Sequence, residues 1–183
     1  MRPPATDPTS RAPIPALIAL ALLLVLGPAM LLADRGAGSK RTPAATLGDL
    51  ARRAGCQLRE FEDGAMRTNP PVTGSFVERI RARDGSYAGR KPPSPMATIH
   101  ALLHGRVLIQ YRADIRDGEL RALDKLARRD TEALLLFENQ TQMRARVAAT
   151  AYLSVMTCPR VDRPTLRALD AFRARRRGFG QSF

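Results

Sequence analysis

The sequence predicts a single small α+β domain with a mixed or antiparallel sheet and two or three helices, preceded by one transmembrane helix. Three observations predict it. Ala12–Ala33 carries no charge and centres on Leu-Ile-Ala-Leu-Ala-Leu-Leu-Leu-Val-Leu. At about 1.5 Å per helical residue it is long enough for a hydrocarbon core of roughly 30 Å. Val107, Ile109 and Tyr111 alternate with Leu108 and Gln110, which predicts a strand over Arg106–Arg112. Leu120, Leu123 and Leu126, and later Leu166, Leu169 and Phe172, fall at helical spacing behind polar starts.

A chain of 183 residues holds one domain of ordinary size plus tails. Residues 1–11 contain Pro3, Pro4 and Pro8 and little that could build a core, so they are expected to be disordered. Residues 12–33 are the expected membrane span, 34–45 a linker with Gly36, Gly38 and Ser39, and 46–183 the folded domain. A cleaved signal peptide is the alternative for the apolar segment, because Gly27 and Ala29 suit a cleavage site after Ala29. Orientation has two opposing signals. Arg35, Lys40 and Arg41 outnumber Arg2 and Arg11, which by charge would keep the domain inside. Cys56 and Cys158, an even number, suit an oxidising compartment, or are two separate buried thiols.

Taken in order, Thr46 can cap a short helix running through Ala54 with Leu47 and Leu50 on one face, ended by Gly55. Gln57–Glu62 reads as a strand. Asp63–Pro95 is rich in turn residues, including Asn69-Pro70-Pro71, Asp84-Gly85 and Pro92-Pro93-Ser94-Pro95. A loop of this length is a natural place for a site, and it holds Arg79, Arg81, Arg83, Arg90 and Lys91. Met96–Leu103 fits a second strand or a short helix, and its length does not decide between them. Asp117 is the expected N-cap of a helix over Gly118–Arg129. Glu132–Glu138 contains a short buried strand, and Arg146–Met156 is a further β candidate around Val147, Tyr152 and Val155. The last helix follows Asp162 with Pro164 in its first turn and Arg173, Arg175, Arg176 and Arg177 at its C-terminal end.

The landmarks Gly55-Cys56, Pro70-Pro71-Val72-Thr73-Gly74, Gly85-Ser86-Tyr87, Ile99-His100-Ala101-Leu102-Leu103-His104-Gly105, Ile109-Gln110-Tyr111, Thr150-Ala151-Tyr152 and Cys158 stand in an order that resembles the DUF3105 proteins. That bacterial family of unknown function typically has an N-terminal membrane segment followed by one extracytoplasmic domain. The resemblance implies that the domain lies outside the cell membrane with the N-terminus in the cytoplasm, and that Cys56 pairs with Cys158. This chain departs from the family pattern at three places. Phe76 stands where the family has His, Leu103 where it has Glu, and Ala65-Met66 lies in a segment where a further His is usual. A site built from that polar set is depleted here, and the resemblance brings no reaction with it.

His100 and His104 are four residues apart, which puts both imidazoles on one face. Two such ligands can begin a copper or zinc site, but a third donor is needed, and the zincin pattern would require Glu where Ala101 stands. Met66 or Met96 could complete a soft site and Asp84 a hard one. The competing reading is that the histidines brace the turn by backbone hydrogen bonds. Ser75, Ser86 and Ser94 lack a nucleophile elbow, and the two cysteines do not form a Cys-x-x-Cys redox pair.

A formal charge of +13 suits a nucleic-acid binder, and equally the Arg and Ala excess of a GC-rich genome. An aromatic fraction of 5% without Trp leaves few platforms for stacking bases, so no nucleic acid is expected. Held near a membrane, that charge would attract anionic lipid or a cell-envelope polymer; dispersed, it would serve only solubility. No complete catalytic set is present. The expected function is a non-catalytic extracytoplasmic binding or envelope-associated module, with metal binding or a degenerate metal-dependent enzyme at His100 and His104 as the alternative.

Overall fold

The computed structural model describes residues 44–62 and 68–181. The expected tail 1–11, the apolar segment 12–33 with its alternative cleavage site, linker residues 34–43 and Met66 lie outside them. Among the described residues no helix is long and apolar enough to cross a membrane.

Helix α1, Leu47–Arg53, begins with a reciprocal cap. Thr46 Oγ1 accepts from Asp49 N, and Asp49 Oδ2 accepts from Thr46 N, both at 3.1 Å. Gly55, at φ 67°, turns the chain into Cys56 and strand β1, Gln57–Glu60. The long loop that follows carries a two-residue strand β2, Gly85–Ser86, which no periodicity could announce. Met96–Leu103 is a helix: α2 spans Pro95–Leu103 and leads through a glycine turn into β3, Val107–Tyr111. Helix α3 is Asp117–Arg129, and β4 is Leu134–Glu138. The β candidate Arg146–Met156 is two strands, β5 (Val147–Ala151) and β6 (Ser154–Cys158). Their turn contains Leu153 at φ 54° rather than a glycine, so the usual hairpin signal is missing. Helix α4, Arg163–Arg176, is capped by Asp162, which accepts from Thr165 N at 2.9 Å.

Two expectations need correction. The described residues hold four helices, not two or three, because α1 and α2 are both formed. Asp117 is not the cap of α3 but its first residue. The cap position is Arg116, whose N–H donates to Glu119 Oε2 at 3.1 Å, so the carboxylate three residues on does the capping.

The sheet is mixed, in the order β1-β6-β5-β3-β4-β2. β3 and β4 are parallel and joined by α3, as a parallel pair requires, while β5 and β6 lie antiparallel on the other side of β3. Alternate residues face opposite layers. Val107, Ile109, Tyr111, Leu134 and Leu136 pack into the larger core with α1, α3 and α4, including Leu123, Leu169 and Phe172. Leu108, Leu135 and Phe137 point the other way, against Ala101 and Leu102 of α2. Both faces are therefore covered, and all five residues of β3 are buried.

Cys56 and Cys158 are joined, Cα to Cα 4.2 Å across a sequence separation of 102. The bond sits beside the β1–β6 ladder, where Gln57 pairs with Thr157. At the opposite end of the chain, residues after α4 strap the turn that ends α2. Gly178 N donates to Gly105 O at 2.7 Å and Gln181 N to Leu103 O at 2.8 Å.

Candidate functional site: an imidazole pair beside two guanidinium groups

Helix α2 is set by local chemistry at both ends. Ser94 Oγ accepts from Ala97 N at 3.3 Å, and Pro95 occupies the first turn, where its missing N–H costs nothing. The helix closes at His104, and Gly105 follows at φ 75°, a left-handed exit that favours glycine. Seven consecutive residues from Ala97 to Leu103 are buried between the sheet and the long loop.

On this frame the four-residue spacing brings the two imidazoles together, ring centroids 4.6 Å apart. His100 is buried, and its Nδ1 lies 2.8 Å from the Ile80 carbonyl oxygen. A carbonyl only accepts, so Nδ1 carries a proton. The bond also pins the loop to the helix, as the bracing role of these histidines requires. Phe76 stacks on His100 with centroids 4.9 Å apart and meets His104 edge-on at 6.5 Å.

Outside the pair lies a cleft of about 250 Å³ lined by Arg81, Ala82, His100, Ala101, His104 and Arg106. Arg106 is anchored by its Nε, which donates to Asp84 Oδ1 at 2.6 Å. Arg81 is exposed and makes no ion pair among the described residues. His104 is exposed overall, but loss of water on its cleft side lowers its pKa from the ordinary 6.5. The neighbouring His100, Arg106 and Arg81 lower it further, since each disfavours a second cation beside it, and Glu78 opposes them.

The other residues singled out in the sequence do not join the pair. Asp84 is committed to Arg106 and to the Ala133 N–H at 3.0 Å. Met96 is exposed on the first turn of α2 and does not line the cleft. Among the described residues no three His, Cys, Asp or Glu side chains group as a metal site. The disulfide lies outside the cleft, and Ser94 serves as a helix cap. Sequence reasoning placed Arg81 only among loop charges, noted Phe76 only as a departure from the family pattern, and gave Arg106 no role in a site. The one available signal was the departure from the family pattern at residue 76.

The family described as a protein of unknown function, DUF3105, matches residues 61–178. The match takes in the cleft, its loop and Cys158, and begins after Cys56. No curated protein and no solved structure matches the chain.

Proposed function

The chain belongs to the DUF3105 family, and from that premise we infer that it is a membrane-anchored extracytoplasmic protein acting as a non-catalytic binding module, with the cleft at His100 and His104 as its recognition surface. The observation that carries this reading is the composition of the cleft. It joins an imidazole pair on α2 to the guanidinium groups of Arg81 in the loop and Arg106 before β3, while the nearby carboxylate of Asp84 is tied up by Arg106 and Ala133. Such a set offers donors for holding a ligand.

The Cys56–Cys158 bond supports an oxidising compartment, and the uncharged segment Ala12–Ala33 supports an anchor. Positive charge supports attraction to anionic lipid or an envelope polymer. Lys125, Arg129, Arg163 and Arg167 line a groove between α3 and α4 and have no ion pairs among the described residues. A reporter fused after Phe183 and thiol labelling in intact cells test the topology. A reporter active in the cytoplasm overturns it.

One observation favours the metal-binding alternative. The Nδ1–H bond from His100 to a backbone carbonyl is the arrangement that orients ligating histidines. Metal analysis of the purified full chain separates the readings. Stoichiometric copper or zinc that is lost in His100→Ala and His104→Ala would put metal binding first.

A further inference from the structure

We propose that the cleft between the long loop and α2 binds a small oxyanion, a phosphate or carboxylate group, between the guanidinium groups of Arg81 and Arg106 and the imidazole of His104. This deepens the binding-module reading and rests on it. Two of the six lining residues are arginines and two are histidines, and none is acidic. Among the described residues Arg106 donates to Asp84 through its Nε alone, which leaves the terminal nitrogens of the guanidinium to face a ligand. That ion pair fixes the side chain in place, so less rotamer freedom is lost when the anion arrives. Arg81 brings a second planar donor set suited to a forked oxyanion.

Size and charge narrow the ligand. A cleft of about 250 Å³ lies below the roughly 300–1,000 Å³ of sites that enclose a drug-sized molecule. It therefore fits one anionic group, either a free small anion or the exposed end of a larger molecule. A divalent metal would meet two guanidinium charges, whereas an oxyanion gains from both.

Protonation and binding reinforce each other. The groups facing His104 are His100 from its own helix, Arg106 from the turn into β3, and Arg81 and Glu78 from the loop. Three of these disfavour the imidazolium and only Glu78 favours it. An anion seated among them reverses the local field, so binding takes up a proton at His104, and affinity falls as pH rises through the imidazole range.

The test is calorimetric titration of the full chain in a neutral detergent, with inorganic phosphate as the free anion and glycerol phosphate as a soluble head-group mimic. Titrations are run at about pH 5.5 and about pH 8, on either side of the imidazole range, in buffers of different ionisation enthalpy. Both probes are expected to bind at the lower pH with proton uptake, and about tenfold more weakly at the higher pH. A tighter glycerol phosphate supports a head group as the source, and a tighter phosphate supports a free anion. Arg81→Gln and His104→Gln each weaken binding about tenfold. Both residues are exposed, so these variants keep the fold, and Arg121→Gln, an exposed position on α3 away from the cleft, leaves binding unchanged. No heat with either probe, or equal affinity in Arg81→Gln and His104→Gln, overturns the oxyanion assignment. Stoichiometric copper or zinc without anion binding overturns it while leaving a binding module. A cytoplasmic reporter removes the underlying reading instead.

Discussion

The Phe76 ring lies stacked on the His100 imidazole, centroids 4.9 Å apart and planes inclined by 30°. It occupies a third position around the imidazole pair and carries no ligating atom. Phe76→His is expected to place a third imidazole beside the other two and to create zinc or copper binding above that of the parent chain. Metal content after gel filtration and calorimetric titration check this. Phe76→Ala, which removes the ring without adding a donor, is the control and should gain no metal.

Removing the disulfide should cost much of the domain's stability. With the cysteines 102 positions apart in sequence, the chain-entropy argument gives on the order of 4–5 kcal/mol. Cys56→Ser combined with Cys158→Ser is expected to lower the denaturant midpoint accordingly. The parent chain, denatured without reductant, should show no reactive thiol.

The strap over the α2 exit depends on glycines. A Cβ on Gly180 would overlap the Leu103 carbonyl oxygen, and one on Gly105 would stand 2.8 Å from the Gly178 carbonyl carbon at a φ of 75°. Gly180→Ala and Gly105→Ala should each destabilise the domain by about 1–3 kcal/mol. In Gly180→Ala the first amides to lose protection in hydrogen exchange should be Gly178 and Gln181, which donate to Gly105 and Leu103.

Glu119 ties α3 to Arg146, just before β5. Its carboxylate accepts from the guanidinium of Arg116 at 2.7 Å, from that of Arg146 at 2.7 Å, and from the Arg116 backbone N–H. The Arg116 hydrogen bond first, then those of Arg146 and the backbone, hold its pKa at about 2 against an ordinary 4.5, despite burial. The unfolded chain therefore binds the proton more readily than the folded one. The contribution of Glu119 is whole above about pH 4.5 and is lost as pH falls through about 2. Arg116 is 77% exposed, so solvent screening limits the effect. Glu119→Gln should cost about 1–2 kcal/mol at neutral pH and flatten the acid limb of the stability profile.

Elements with a clear period were legible without the structure. Leu123, Leu126, Leu169 and Phe172 mark the buried faces of α3 and α4, and Val107, Ile109 and Tyr111 mark a strand that stands fourth in the sheet order. Three places were not legible. The segment of α2 from Ala97 to Leu103 is buried all round, so neither period stands out. β2 exists only because Gly85 and Ser86 pair with Leu135 and Leu136. Glu119 captured the cap of α3 because its carboxylate reaches back to Arg116 N, a choice that the adjacent Asp117 obscured.

By itself the sequence determined the family, the α+β class, the two long helices, the buried central strand and the placing of His100 and His104 on one face. Local spacing decides these, since helical and strand periods are properties of neighbouring residues. The cleft was decided only by tertiary structure. Phe76 and Arg81 reach His100 and His104 because the Ile80 carbonyl is bonded to His100 Nδ1, 20 residues away in the chain. Arg106 is oriented by Asp84, which is 22 residues distant. Contacts across such separations depend on how the loop closes over the sheet, and no local pattern encodes that path.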